Sequence, residues 1–474
     1  MGNRTILLSA ENGPILAADE TGLVLRLSDR VVADLARRLA ALPGAQPHAE
    51  PNSVTAQAAA AIPLDPAILG DIDGWDVTRQ GDWLSFTARL PGADGPRRYL
   101  RHISGTGVLA QTPGPVRGIF SIAGGRRFNA PSLSPDFPFH ILGTAAFEDA
   151  DEDPPLFDNL RHCGLDADLA AALLRRRHAD FRALPLFACA ACPREGDLAP
   201  FRAALDRFAA LGAALHKAPR VAAICLEVSA DQVAPDQNAD AFHHALLSQL
   251  DTIAQAVAEA GLPPARMLMT LDCGGWWGSD PTRARIAAEG LCRLALCPGT
   301  HDLTLTGSTA SLTQDRLGQP LRASALIQAE LESRALEALA GRENWTAPIL
   351  CLVERDGPRG LRALFKSAAP LVIDTGDPMG AGPLAGFALS GAPEGIEISE
   401  IGIDPQDPRA IRLTLNADLP REVAARLEYA MPRAPDPDSR LPGWAGALRD
   451  DWQGETGTGA PVYRWALPAS QVIR

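Results

Sequence analysis

The chain has 474 residues, room for about three domains of ordinary size. Its composition, 46% hydrophobic and 21% charged, is that of a folded globular protein. The net charge of −13, from 44 basic and 57 acidic residues, argues against a nucleic-acid partner, which needs a basic face. It argues equally against an anionic membrane surface. No apolar run approaches a membrane span, and Glu11, Asn12 and Gly13 interrupt the apolar start before it reaches signal-peptide length. The eight cysteines are too sparse in so long a chain to be a disulfide framework. They suit a protein made in reducing cytoplasm.

Residues 1–60 read as a small separate unit. Three apolar runs, Thr5 to Ser9, Ile15 to Ala18 and Leu23 to Leu27, are separated by turn signals and predict short strands. A helix capped by Ser28 or Asp29 is expected across Arg30 to Leu42. Residues 61–150 are turn-rich and predict a β-rich domain. Leu84, Phe86, Ala88 and Leu90 alternate with Ser85, Thr87 and Arg89, the period of a half-buried strand.

Residues 151–345 change to strand–helix alternation. Continuous apolar strands are expected at Leu184–Ala191, Val221–Val228, Arg266–Asp272 and Asp302–Thr306. Helical stripes lie between them: Leu198, Phe201, Leu205, Phe208 and Leu211, then Phe242, Leu246, Leu250, Ile253 and Val257. Asp280-Pro281 opens a further helix, with Asp at N-cap and Pro at N1. Arg175-Arg176-Arg177 ends a helical pattern and reads as a solvated face. Repeated βα units imply an α/β fold with a doubly wound parallel sheet, whose ligands bind at the carboxyl ends of strands. Residues 346–474 contain short apolar runs at sandwich spacing and no convincing helix, so a C-terminal β-sandwich is expected.

One segment carries a resemblance. Leu312-Thr313-Gln314-Asp315-Arg316-Leu317-Gly318-Gln319-Pro320 precedes an Ala/Leu-rich helix pattern. It resembles the last motif of SGNH (GDSL-like) hydrolases, a group that includes sialate O-acetylesterases. The family carries Asp-x-x-His there, the His acting as base for a Ser nucleophile. Asp315 matches, whereas Gly318 stands at the His position. Two weaker similarities follow the same order. Ala190 to Gly196 stands where the family has Gly-Gln-Ser, with Cys192 in the nucleophile's place. Val228-Ser229-Ala230-Asp231 stands for Gly-Glu-x-Asp, with Asp231 matching. Leu371 to Thr375, Gly386-Phe387, Gly446 to Asp450 and Tyr463-Arg464-Trp465 resemble the β-sandwich that follows such domains in phage and bacterial glycan-processing proteins. The resemblance implies an SGNH-like α/β domain whose hydrolytic base is gone.

The candidate site residues follow. If the chain is active, Cys192 is the nucleophile and Asp315 its partner, because a thiolate at a strand-to-helix turn can be activated. The alternatives are a buried thiol and a helix-capping aspartate. His301, the nearest imidazole in sequence to Gly318, begins another strand. The loop Asp272-Cys273-Gly274-Gly275-Trp276-Trp277-Gly278-Ser279-Asp280 follows a strand at the ligand-binding edge. Flat indole rings cover the C–H face of a pyranose, and carboxylates take its hydroxyls. Trp276, Trp277, Asp272, Asp280 and Asp231 are therefore the expected sugar contacts, unless one ring packs beneath the loop. Cys189-x-x-Cys192 sits in a strand, where positions three apart face opposite ways. No metal and no other cofactor is expected.

The reading favours glycan binding without turnover. The partner would be a cell-surface or capsular polysaccharide, met as the spike or fibre of a phage-like or gene-transfer-agent particle. Residues 1–60 would attach it to other particle proteins, and several copies would act by avidity as a homo-oligomer. Lack of an export signal fits assembly in the cytoplasm followed by release on the particle. An active carbohydrate O-acetylesterase with a rewired site, or a structural component without ligand, are the alternatives.

Overall fold

The computed structural model describes residues 5–10, 13–19, 22–25, 62–91, 95–103, 107–122, 127, 136–143, 158–159, 164–176, 184–192, 198–273, 280–315, 320–432 and 445–474. The chain divides into two compact units, Met1–Ile62 and Pro63–Arg474. The first holds an antiparallel sheet of β1 (Thr5–Ala10), β2 (Gly13–Asp19) and β3 (Gly22–Leu25). The helix expected over Arg30 to Leu42 lies outside the described residues.

A five-stranded sheet follows, in the order β4 (Ile62–Pro63), β5 (Gly74–Gln80), β6 (Trp83–Ala88), β7 (Arg97–His102) and β8 (Val108–Ala110), with β5 to β8 an antiparallel meander. In β6 the residues Leu84, Phe86 and Ala88 are buried and the intervening ones half-buried, as the alternation requires.

The core of the second unit is a seven-stranded sheet. Its strands are β9 (Val116–Ile122), β10 (Ile141–Gly143), β11 (Asp158–Asn159), β12 (Leu186–Cys192), β13 (Pro219–Ser229), β14 (Met267–Asp272) and β15 (Leu303–Ser308). They lie in the order β11-β10-β12-β9-β13-β14-β15. All neighbours are parallel except the β10–β11 edge pair. Five helices cover it: α1 (Leu165–Arg176), α2 (Ala199–Ala214), α3 (Ala239–Glu259), α4 (Pro281–Leu296) and α5 (Arg322–Ala340). The predicted stripes of α2 and α3 are buried, and α2, α3 and α4 pack on one sheet face. Helices α1 and α5 pack on the other. This is the doubly wound arrangement expected.

The boundary expected at residue 150 cuts through this sheet. Strands β9 and β10 come from the stretch read as a β-rich domain, and β9 lies between β12 and β13. Being buried on both faces, β9 has no alternation to read.

Residues beyond 345 form three antiparallel sheets around a shared core. The first contains β16 (Ile349–Arg355), β17 (Gly360–Lys366), β20 (Ile398–Asp404) and β21 (Asp407–Leu415). The second contains β18 (Leu371–Ile373), β23 (Leu448–Glu455) and β24 (Pro461–Trp465). The third contains β19 (Phe387–Ser390), β22 (Arg426–Tyr429) and β25 (Ala469–Val472). Gly386 enters β19 with φ +91°, and a Cβ there would lie 2.4 Å from the Ala445 carbonyl oxygen. Both strain and clash oppose a side chain. Gly386→Ala is therefore expected to lower stability by about 2 kcal/mol, read from urea unfolding.

Candidate functional site

The carboxyl edge of the parallel sheet carries the candidate site. Asp231 is exposed in a 3-10 turn, Ala230–Gln232, directly after β13. Asp272 ends β14, half-buried, and accepts the Thr309 hydroxyl at 3.2 Å. Thr309 in turn accepts the Cys273 backbone N–H at 2.9 Å, so the end of β14 is tied to the 3-10 turn that follows β15. Asp280 is exposed and caps α4, accepting from the Thr282 N–H at 2.8 Å with Pro281 next, as the sequence predicts. Asp315 is exposed beyond β15. Asp231 and Asp272 thus stand at the ends of two adjacent strands, and Asp315 follows the third, β15, after the 3-10 turn Thr309–Ser311. Trp276, Trp277 and Gly318 lie outside the described residues.

One expectation needs correction. Asp315 does not cap the following helix. Helix α5 starts at Arg322 with Leu321 at N-cap and no side-chain cap, because Gln314 and Pro320 bridge to each other first. Cys192 ends β12 and is only 1% exposed, packed among the apolar residues under α2, while Cys189 faces the opposite helix layer. His301 pairs with Asp251 at 3.0 Å, just before β15, at the amino end of the sheet.

The sequence reading missed the strongest polar feature of this edge. Ser121, near the end of β9, is paired in register with Cys225 of β13, and its side chain turns toward α1 and α5. Its hydroxyl donates to Asp166 in the first turn of α1 and accepts from Arg127 Nε at 2.8 Å. Arg127 spreads its guanidinium over two further partners. Nη2 donates to Asp166 Oδ1 at 3.0 Å, and Nη1 and Nη2 grip Glu332 of α5 at 2.6 and 2.9 Å. Glu227 of β13 lies 3.9 Å from Nη1. Gln328, one turn before Glu332, donates to Glu227 at 3.1 Å and to Glu332 at 3.2 Å. The four charged side chains are each no more than 4% exposed.

One cation therefore faces three carboxylates out of contact with water. Full ionisation of such a set is costly. Burial pushes the Asp166 carboxyl above its usual range, with Arg127 and Ser121 pulling it back and Glu332 adding to the rise. Its Oδ2 is buried without a hydrogen-bond partner among the described residues, which suits a carboxyl holding its proton. Burial likewise pushes the Cys225 thiol well up, so it is no nucleophile. Chemically, the cluster is a clamp joining β9, β13, α1 and α5. Its outward signs in the sequence were slight: Ser324, Gln328 and Glu332, four residues apart on the inward stripe of an Ala/Leu helix. Arg176, expected on a solvated face, is also drawn in, bonding Glu330 and Glu337 of α5. A carboxylate pair on that helix outweighs hydration of one guanidinium.

No family model matches the chain, and no curated relative does. Among solved structures, it is similar to a carbohydrate acetylesterase from Xanthomonas citri, with 13% identity, TM-score 0.45, and coverage of 80% of this chain and 85% of that one. It is also similar to a protein from Arabidopsis thaliana, with 10% identity, TM-score 0.32, and coverage of 47% of this chain and 98% of that one. At these TM-scores neither likeness bears on activity.

Proposed function

We propose that the chain binds a polysaccharide of a cell surface or capsule at the carboxyl edge of its parallel sheet and leaves it intact. The observation carrying this reading is a division between inside and outside. Ser121 and Cys192, the hydroxyl and thiol at the ends of β9 and β12, are 0% and 1% exposed. Asp231, Asp280 and Asp315 stand outside, and Asp272 half outside, as acceptors for sugar hydroxyls. A nucleophile must reach the reacting carbonyl, and a thiol inside an apolar cluster is out of its reach. In this proposal the chain is the spike or fibre of a phage-like or gene-transfer-agent particle, assembled in the cytoplasm. The Met1–Ile62 unit is its attachment to other particle proteins. A single edge of this kind binds weakly, so several copies on one particle would supply avidity.

The test is a capsule pull-down and glycan array with the native chain, Trp276→Ala and Trp277→Ala. Binding by the native chain is expected to fall at least about fivefold in one or both variants, since stacking contributes roughly 1 kcal/mol or more. Absence of binding by the native chain would leave a structural component. Hydrolysis of an acetylated capsule that disappears in Cys192→Ala would replace the proposal with an esterase.

A further inference from the structure

The five-stranded sheet gives one face to its own core, where Leu84, Phe86, Ala88 and Tyr99 are buried. The alternate positions make up the opposite face, and the register lays them in rows across the strands. One row runs Trp75, Thr87 and Arg98. Gln111 extends it, its backbone N–H donating to the Arg98 carbonyl at 3.0 Å. Further along the strands Trp83 and Leu100 lean on the core of the parallel sheet, which anchors that end of the face. The Trp75 end stays open. Trp75 is 42% exposed, Arg98 and Gln111 are exposed, and Thr87 is half-buried. An indole is among the largest apolar surfaces a chain can bury, so a ring left in water on a sheet face forgoes much stabilisation.

The polar groups beside the ring are already held in place. Arg98 donates to the Ser85 hydroxyl from Nε at 3.3 Å and from Nη2 at 3.0 Å. Ser85 in turn donates to Gln111 Oε1 at 3.1 Å. This chain of bonds pins the guanidinium over β6 by one edge and leaves the Nη1–Nη2 edge with donors to spare. It also occupies the oxygen of the Gln111 amide and leaves its two N–H groups. Arg98 has no carboxylate partner among the described residues, although acidic residues outnumber basic ones 57 to 44 in the chain. Asp76 follows Trp75 in a β-bulge at φ +51°, two strands away from Arg98. Facing residues on neighbouring strands stand about 5 Å apart, so the stems of Trp75 and Arg98 are roughly 10 Å apart. One sugar ring on the indole, with an acidic substituent toward the guanidinium, spans that interval.

We propose that this face is a second glycan site, taking a pyranose that carries a carboxylate. The C–H face of the ring stacks on Trp75. The carboxylate receives two N–H groups from the open edge of Arg98, and Gln111 donates to a further oxygen. Ring hydroxyls on the side away from Arg98 meet Asp76. A protein partner would need a broad apolar patch, whereas this indole is bordered by Thr78, Thr87 and Asp76. The site belongs to a different sheet from the carboxyl-edge site and does not depend on binding there.

The test uses the full chain labelled with nitrogen-15, titrated with sodium glucuronate and, separately, with glucose. The Trp75 indole N–H resonance is identified by its loss in Trp75→Phe, and the Gln111 side-chain amide by its loss in Gln111→Met. Glucuronate is expected to shift the Trp75 resonance saturably, and glucose at the same concentrations to leave it in place. Arg98→Met is expected to weaken glucuronate binding at least about tenfold, read at Trp75. Trp75→Ala is expected to weaken it at least about fivefold, read at the Gln111 amide. Both side chains are exposed, so neither variant should change the melting temperature. Because the resonances belong to this face, sugar bound at Trp276 or Trp277 does not imitate them, and their silence leaves the carboxyl-edge reading intact. No shift up to the solubility of glucuronate overturns the proposal. So does an equal shift by glucose, or binding by Arg98→Met as tight as by the native chain.

Discussion

Replacing Arg127 with leucine is expected to lower the unfolding free energy by about 3–5 kcal/mol, because it strands buried carboxylates. Asp166 and Glu332 lose their direct partner, Glu227 loses its nearest cation, and Ser121 loses a donor. Arg127→Lys should fall between the two, since an ammonium keeps the charge but not the two-pronged grip on Glu332. The effect depends on pH with a definite sign. Burial raises the Asp166 carboxyl, so the folded state holds that proton through a window just above the usual carboxylate range, where the unfolded chain has lost it. Stability contributed by this group therefore falls as pH rises through that window and is restored below it. Without Arg127 the acid moves further up and the window widens. Urea unfolding of both proteins should show the gap between them narrowing as pH falls. A gap independent of pH would mean that Asp166 stays ionised throughout.

Arg464→Leu is the second large loss, again about 3–5 kcal/mol for a broken buried pair. Arg464 meets Asp450 through two bonds, 2.7 Å from Nη2 to Oδ2 and 3.2 Å from Nε to Oδ1. Asp450 is 0% exposed and also accepts the Trp452 backbone N–H at 3.2 Å. The guanidinium lies over Trp345 at 4.8 Å and over Trp452 at 5.4 Å, contacts worth up to about 2 kcal/mol when desolvated. Asp450→Leu alone should cost a similar amount. The double variant Arg464→Leu, Asp450→Leu should cost clearly less than the sum, since no lone charge remains. Additive losses in thermal and urea unfolding would show that water reaches the pair.

What the sequence made legible was whatever local periodicity encodes. Phe242, Leu246, Leu250, Ile253 and Val257 recur at helical spacing and are the buried face of α3. Leu84, Phe86 and Ala88 alternate and are the buried face of β6. The C-terminal stretches that carried the resemblance also meet in space. β18 and β24 flank β23, and Arg449 joins Asp374 at 2.9 Å and covers Tyr463 at 4.4 Å. Strand β9 was not legible, because Gly118 and Ser121 break its apolar run and both its faces are covered. A Cβ at Gly118 would fall 2.4 Å from the ring of Phe120 on the same strand face and 3.1 Å from the ring of Phe208 in α2, and the second contact is a tertiary reason that no local pattern carries. The Arg127 clamp was hidden for a similar cause. Arg127 and Glu332 are separated by 205 positions and meet only once the sheet has formed. Asp315 misled through its nearness to a helix, when the bridge from Gln314 to Pro320 delays the helix start.

The place of β9 bears on how the molecule can be taken apart. A fragment beginning after residue 150 would keep β12 and β13 but lack the strand that joins them. Two rows of unpaired amides and carbonyls would face each other across a gap one strand wide, each free to recruit a foreign strand. Such a piece should aggregate rather than fold, and excision that respects the natural joint starts at Pro63.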